Sequence, residues 1–251
     1  MDTKELLAIA KEGALRGGEE ILKVYNTEDF EVDMKSDSSP LTKADKLAHI
    51  AISKVLEATG LPILSEEGKQ LSFEERSKWK KFWMVDPLDG TKEFIKRNGE
   101  FTVNIALIEN GKPVLGVVYV PVTKDLYYND ESNAYVERNG EVKIISCSEK
   151  SLNDVGLKVV ASRSHLNQET ENLISSLKEP VTVSKGSSLK FLLVAEGEAD
   201  IYPRFAPTME WDTAAAHAIV LKSGKKVTHS DYKTDLVYNK EDLLNPHFIV
   251  H

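Results

Sequence analysis

The stretch WMVDPLDGTKEF, residues 83–94, sets two carboxylates three positions apart where an apolar strand gives way to a turn. Pro87 forbids regular strand pairing beyond it, because proline has no N–H to donate and its φ is fixed. We therefore expect the carboxylates of Asp86 and Asp89 to converge, and the carbonyl of Leu88, freed from a strand ladder, offers a third oxygen. Oxygen ligands of this kind are suited to hard metal ions.

The same loop also offers a place for a phosphate. Gly90 and Thr91 follow directly and can open a helix, and the first N–H groups of a helix are unpaired donors with partial positive charge. Taken alone, these residues also fit an ordinary turn in which Asp89 caps the helix. The other motifs of the chain favour the metal and phosphate interpretation.

The composition is that of an ordinary globular protein and excludes several classes. The 251 residues form one large domain or two modest ones, with 41% hydrophobic and 29% charged residues. A net charge of −8 gives no support for a nucleic-acid polymer or an anionic membrane as partner. The single cysteine, Cys147, excludes an intramolecular disulfide and fits a reducing compartment. Because no apolar run reaches signal-peptide or membrane-span length, we expect a cytoplasmic location without stable membrane insertion.

Hydrophobic periodicity predicts early helices, then strands, then an alternation of the two. Helices are expected over the amphipathic N-terminal segment and over 42–58. An antiparallel sheet is expected from strands at 62–65, 82–86, 101–109, 113–121, 125–129, 133–137 and 141–146. From about residue 150, strands at 157–162, 181–184 and 199–202 alternate with helices at 167–178, 188–196 and 211–222. The fold class is thus expected to be α+β over 1–150, a subdomain that would bind the metal, and α/β over 151–251, a subdomain that would recognise the substrate.

Further acidic residues occur at strand and helix ends. Glu66 and Glu67 close a short apolar strand and cannot both point the same way, so one of them can face a metal. Asp212 lies in the first turn of the last predicted helix, whose small residues allow a close approach to another backbone. Converging carboxylates repel one another by roughly 4 kcal/mol for a pair about 4 Å apart at an effective dielectric of about 20. Such a cluster implies cations, and an all-oxygen ligand set suits Mg²⁺ or Mn²⁺ better than Zn²⁺.

Three motifs in a fixed order carry a family resemblance. LSEEG (64–68), WMVDPLDGTKEF (83–94) and MEWDTAAAHA (209–218) together resemble the inositol monophosphatase superfamily. Within it, the segments SPLTKADKLAH, ASRSH, GSSLKFLLVAEGEADIYPR and YNKEDLLNP are similar to the CysQ-type 3′(2′),5′-bisphosphate nucleotidases. The resemblance covers nearly the whole chain. It implies an αβαβα layered sandwich and Mg²⁺-dependent phosphomonoester hydrolysis, with about two or three ions bound.

The resemblance also implies roles for individual residues. The implied metal ligands are Glu66, Asp86, the Leu88 carbonyl, Asp89 and Asp212. Thr91 and Asp45 would form a hydrogen-bonded pair that orients the attacking water and helps to deprotonate it, and Glu66 is counted with them as catalytic.

Substrate recognition is expected mainly from loops of the second half. The expected substrate-binding residues are Gly90, Thr91, Ser164, His165, Gly186, Ser187, Ser188, Lys190 and Asp212. The N–H groups of 186–188 would bind a second phosphate, with Lys190 and Arg163 as its counter-charges. Ordinary helix caps and surface basic residues are the alternative for these segments.

The function that this resemblance implies is the conversion of adenosine 3′,5′-bisphosphate to AMP and phosphate, with the sulfated nucleotide as a second substrate, which would link the protein to sulfur metabolism. Inositol monophosphatase or sugar bisphosphatase activity at the same metal site is one alternative, and a non-catalytic metal- or nucleotide-binding module is another. A phosphatase of the haloacid-dehalogenase type is disfavoured because its aspartates lie about two residues apart, whereas Asp86 and Asp89 are three apart. The sequence leaves the oligomeric state open between monomer and homodimer.

Overall fold

The helices and strands alternate in blocks along the chain. A computed structural model describes residues 1–26, 32–34, 40–161 and 167–251. The helices are α1 (Thr3–Tyr25), α2 (Lys43–Leu56), α3 (Phe73–Arg76), α4 (Thr91–Ile95), α5 (Gln168–Ser176), α6 (Leu189–Ala195) and α7 (Ala214–Ser223), with a 3₁₀ turn at Glu57–Thr59. The strands are β1 (Val32–Met34), β2 (Pro40–Thr42), β3 (Ile63–Ser65), β4 (Lys81–Asp89), β5 (Thr102–Glu109), β6 (Lys112–Val120), β7 (Asp125–Asn129), β8 (Ala134–Arg138), β9 (Glu141–Ile145), β10 (Lys158–Ala161), β11 (Val181–Ser184), β12 (Tyr202–Arg204), β13 (Val227–His229) and β14 (Phe248–Val250).

A seven-stranded sheet in the order β3-β4-β5-β6-β7-β8-β9 carries the first half of the fold. Its neighbouring strands are antiparallel except for β3 and β4, which are parallel. The prediction of an antiparallel sheet is therefore wrong at this edge, because the chain crosses over from β3 to β4 through α3 instead of turning back in a hairpin. Parallel pairing places Ser65 opposite Val85, so the next residues, Glu66 and Asp86, lie at the same end of the two strands.

Turn chemistry sets the register of the middle strands. The predicted hairpins at 109–112 and 138–141 are confirmed, with β5 joined to β6 and β8 joined to β9. Their central pairs, Asn110-Gly111 and Asn139-Gly140, have positive φ at all four residues. Type I′ turns require this conformation, and Asn-Gly adopts it readily.

Helices cover both faces of this sheet. One face packs against α1 and α2 through a core that includes Ile21, Ile52 and Trp83. The other face packs against α6 and α7 through Phe82, Val118 and Ile219 among others.

Small residues bring α7 very close to the sheet, as the sequence predicts. A Cβ added to Gly116 of β6 would lie 2.0 Å from the backbone oxygen of Ala215. The start of α7, just after Asp212, is therefore fixed directly against β6.

The second half adds two more layers. β10 and β11 are parallel, β14 lies between β12 and β13, and a bridge from Val159 to Ile201 connects the two groups. One face of these strands joins the core around α6 and α7, and the other packs against Leu173 and Ile174 of α5. The layers are therefore α, β, α, β, α.

Two other features differ from the sequence expectation or add to it. The last helix begins at Ala214, not at 211, so Asp212 precedes it in a turn. The division at about residue 150 stays an interpretation, since the core on the α7 face draws residues from both halves. Within the described ranges, no helix combines the length and apolar character needed to cross a bilayer.

Candidate metal centre

Three acidic side chains from three separate elements meet at the end of the large sheet. Glu66 follows β3, Asp86 lies in β4, and Asp212 precedes α7. One carboxylate oxygen of each lies within 4.8 Å of those of the other two. Asp86 is buried, whereas Glu66 and Asp212 are partly exposed. The sequence predicts that four carboxylates converge, those of Glu66, Asp86, Asp89 and Asp212. The structure brings three of them together and leaves Asp89 outside this group, and the role of all four as ligands stays a prediction.

An irregularity in β4 shapes the loop that carries Asp86 and Asp89. Asp86 pairs with Asn104 and Asp89 pairs with Thr102, so β4 holds one more residue than β5 across this step. Such a bulge bends the strand and re-aims its side chains. The strand end is held by a bond from the Leu88 N–H to Asp86 Oδ1, 3.0 Å.

Thr91 and Asp45 lie close to this loop. The Thr91 hydroxyl donates to the Leu88 carbonyl oxygen at 3.4 Å, which leaves that oxygen a second lone pair. Asp45 is fully buried in the first turn of α2, and its charge acts on Asp86. The predicted Thr91–Asp45 pair stays a prediction.

The carboxylates of the cluster repel one another, and their pKa values are raised. Burial, followed by the charges of Glu66, Asp89 and Asp212, raises the pKa of Asp86 well above its ordinary value. Burial and the charges of Asp89 and Glu66 likewise raise the pKa of Asp212. Burial raises the pKa of Asp89 to about 6, against the opposing effect of Lys190. Bound divalent cations would offset this repulsion, and a donor set made only of oxygen atoms fits Mg²⁺.

A cavity of about 360 Å³ opens beside the cluster. Its lining residues are Asp89, Gly90, Glu93, Lys96, Asn98, Glu100, Lys185, Gly186, Ser187, Ser188, Lys190, Phe191, Tyr202, Arg204, Thr208 and Asp212. Asp89 and Asp212 therefore face the space in which the predicted phosphate loop lies.

The loop 186–188 is fixed to the metal side of the cavity. The Ser188 N–H donates to Asp89 Oδ2, and the Ser188 hydroxyl lies 2.8 Å from Thr102 Oγ1 and 2.9 Å from Asn104 Oδ1. The Gly186 N–H donates to Glu100 Oε2 at 2.8 Å. Two of the three N–H groups expected to bind phosphate are thus already used here, so side chains carry more of the predicted binding.

Cations line the cavity. Lys190 Nζ donates to the Ser187 carbonyl oxygen at 2.7 Å, and burial lowers the pKa of Lys190 to about 8. Arg204, which sequence reasoning missed, donates from Nε to Thr208 Oγ1 at 2.6 Å. The sequence signal that could have found Arg204 is its place at the end of the family-like segment GSSLKFLLVAEGEADIYPR. The predicted contacts at Ser164 and His165, like Arg163, lie outside the described residues.

Fold and site together define a phosphatase-like class in which an αβαβα sandwich gathers carboxylates at one end of its large sheet. The inositol monophosphatase family matches residues 2–250, and the chain belongs to this family. The predicted family is therefore confirmed.

Several relatives share a more specific description. Enzymes named 3′(2′),5′-bisphosphate nucleotidase CysQ are 49% identical over 240 residues in Salmonella typhimurium and 48% identical over 241 residues in Shigella flexneri. Each alignment covers 94% of this chain and 96% of the relative. The crystal structure of CysQ from Bacteroides thetaiotaomicron, a bacterial member of the same family, matches with a TM-score of 0.88 at 46% identity. That match covers 99% of this chain and 97% of the other.

Proposed function

We propose that this protein is a Mg²⁺-dependent 3′(2′),5′-bisphosphate nucleotidase. It removes the 3′-phosphate of adenosine 3′,5′-bisphosphate to give AMP and phosphate, and it also acts on 3′-phosphoadenylyl sulfate. The observation that carries the proposal is the carboxylate cluster of Glu66, Asp86 and Asp212 beside a cavity whose lining includes Lys190 and Arg204. The similarity to nucleotidases over 94% of the chain supports the substrate class.

The proposed metal site uses oxygen atoms from both halves of the chain. The ligands are Glu66, Asp86, the Leu88 carbonyl, Asp89 and Asp212, for about two or three ions. When bound, Mg²⁺ supplies Lewis acidity to the phosphoryl oxygens and makes water a stronger nucleophile at neutral pH. Mn²⁺ is the expected substitute because it accepts the same ligands.

The chain's own residues would place the water and the phosphate. Thr91 and Asp45 are proposed to orient the water: a hydroxyl can hand a proton to a carboxylate while it holds the water in line. The N–H groups of Gly90 and Thr91, at the start of α4, would hold the phosphoryl oxygens. Glu66 is the third residue proposed as catalytic, because it lies in the carboxylate cluster that would bind the metal.

Two basic side chains in the cavity favour a substrate with a second anionic group. Lys190 and Arg204 can balance a 5′-phosphate, which the substrate carries in addition to the phosphate at the metal centre. An inositol monophosphate has no such second group. We therefore place nucleotide bisphosphates ahead of inositol phosphates as substrates.

The cellular context is proposed on the same basis. Removal of adenosine 3′,5′-bisphosphate would connect the enzyme with sulfur metabolism, in the cytoplasm. A nucleotide substrate is proposed as its small-molecule partner, and the choice between monomer and homodimer stays a prediction from the sequence.

The test is phosphate release by the purified protein with Mg²⁺, using adenosine 3′,5′-bisphosphate, inositol 1-phosphate and fructose 1,6-bisphosphate at matched concentrations. We expect the nucleotide to be hydrolysed with the highest kcat/KM and EDTA to abolish the activity. A preference for inositol 1-phosphate would keep the metal site and reject the substrate class. Release that EDTA does not affect would reject the metal chemistry.

A further inference from the structure

Glu210 is a fully buried carboxylate two residues before the proposed ligand Asp212, and it does not line the cavity. Its Oε2 accepts from the Asn239 N–H, and its Oε1 accepts from the Lys240 N–H at 3.0 Å. Lys240 Nζ also forms an ion pair with Oε1. Both oxygens are therefore held by a segment that comes 29 and 30 positions later in the chain.

The same segment also forms hydrogen bonds with Arg76, which is buried. Arg76 donates from Nη1 to Asn239 Oδ1 at 2.9 Å and from Nη2 to the Glu241 carbonyl oxygen at 2.6 Å. Asn239 Nδ2 returns a bond to the Arg76 carbonyl oxygen at 2.7 Å. Arg76 is the last residue of α3, which lies between β3 and β4 in the chain; Glu66 follows β3, and Asp86 lies in β4.

Glu210 is also the centre of the turn that presents Asp212. Its carbonyl oxygen accepts from the Ala214 N–H at 3.0 Å and from the Thr213 hydroxyl at 3.0 Å. Asp212 Oδ2 accepts from the Met209 N–H at 2.9 Å. Because these bonds tie the turn together, a shift of Glu210 moves the Asp212 carboxylate with it.

We propose that Glu210 is a positioning residue for Asp212. Through Asn239 and Arg76, it connects the turn of the second half with the crossover between the strands of the first half. The network therefore sets the distance of Asp212 from Glu66 and Asp86, and with it the metal affinity. The proposal rests on the proposed metal centre.

The test is direct binding of Mn²⁺ to the full chain without substrate, measured from the electron paramagnetic resonance signal of free Mn²⁺. Outer partners of metal ligands typically change affinity 10- to 100-fold, so Glu210→Gln should raise the Mn²⁺ dissociation constant at least roughly tenfold. Lys240→Met removes the ammonium group but leaves both backbone donors, so it should raise the constant by a smaller factor.

Asp200→Asn is the matched control. Asp200 is a buried carboxylate that accepts from the Lys158 N–H at 2.7 Å and pairs with Lys150, and it does not line the cavity. This variant should lower the melting temperature and leave Mn²⁺ affinity unchanged. A second readout is activity at rising Mg²⁺, which should bring kcat of Glu210→Gln back towards the wild-type value.

The outcomes separate the two proposals. If the wild-type protein binds no Mn²⁺, the proposed metal centre fails. If it binds Mn²⁺ and Glu210→Gln binds with the same affinity, the metal centre stands and the positioning role is rejected. An equal loss of affinity in Asp200→Asn would also reject the positioning role, because the effect would then follow from general destabilisation. If Glu210→Gln does not fold, an unchanged affinity in Lys240→Met rejects the role and a weakened one supports it.

Discussion

Replacing Asp89 by Asn should stabilise the metal-free protein while removing its activity. Burial, with smaller contributions from Glu66 and Glu93, raises the pKa of Asp89 from 3.8 to about 6. At 1.36 kcal/mol per pKa unit, the ionised side chain would destabilise the fold by roughly 3 kcal/mol. Because the side chain is partly exposed, solvent screening reduces this to about 2 kcal/mol. Asn keeps an oxygen that can accept from the Ser188 N–H, so little is lost in return.

The pH dependence of this effect has a definite sign. Since the pKa of Asp89 is higher in the folded state, the folded protein binds more protons than the unfolded chain between 3.8 and about 6. The contribution of Asp89 to the free energy of unfolding is therefore most favourable below the pKa of the unfolded chain, and it is lost as the pH rises through about 6. Asn does not titrate, so its advantage over Asp should be small near about pH 4 and complete by about pH 7.5.

The assay is thermal unfolding in EDTA across this pH range. A gain of about 2 kcal/mol corresponds to roughly 4–8 °C in melting temperature for a chain of this size. In Mg²⁺, the wild-type protein should instead have the higher melting temperature, because it has a complete set of metal ligands and the variant does not. Asp200→Asn, a buried aspartate outside the cluster, should lose stability under the same conditions. An Asp89→Asn variant that is no more stable than wild type in EDTA at about pH 7.5, or whose gain does not shrink at lower pH, would refute the reasoning.

Three further substitutions test substrate binding in the cavity and the stability of the buried core. Lys190→Met should raise KM for adenosine 3′,5′-bisphosphate about 10- to 100-fold through the loss of a charge-assisted hydrogen bond, with a smaller effect on inositol 1-phosphate; steady-state kinetics check this against the exposed Lys222→Met, which should change neither. Burial lowers the pKa of His217 to about 3, so stability should fall as the pH drops below about 6.5, where the unfolded histidine takes up a proton. Urea unfolding at about pH 7 and pH 5 should show that the wild-type protein loses about 1–2 kcal/mol relative to His217→Gln over this interval, and the same change in unfolding free energy in both proteins would contradict this. Gly116→Ala should cost about 3 kcal/mol or more, because its Cβ meets a backbone oxygen of α7; chemical denaturation should show only about 1 kcal/mol for Gly140→Ala, where only the positive φ is unfavourable.

Local patterns in the sequence predict most elements of the first half. The Asn-Gly turns fix two hairpins because their conformation is specific to those residues. The parallel pairing of β3 with β4 could not be predicted, because hydrophobic pattern does not encode strand direction. The strand β14 was missed for a related reason: it spans three residues, and one of its partners, β12, lies more than forty positions earlier.

In the site as well, residues within one local motif could be predicted, whereas contacts between distant segments could not. Asp86 and Asp89 follow from one loop, in which Pro87 restricts the backbone and Gly90 allows a positive φ. Glu210 looks like an ordinary polar neighbour in the sequence, because its burial depends on partners in a distant segment. The use of the Gly186 N–H by Glu100 could not be foreseen either, since it depends on the tertiary contact between the two loops.

The most direct test of the account is to identify the product formed from adenosine 3′,5′-bisphosphate by phosphorus nuclear magnetic resonance, with Mg²⁺ and with EDTA. The account predicts AMP that keeps its 5′-phosphate, together with one equivalent of phosphate, and no product in EDTA. Formation of adenosine 3′-phosphate would show that the substrate binds in the opposite sense. The absence of any EDTA-sensitive product would contradict the proposal that the carboxylate cluster is a catalytic metal centre for this nucleotide.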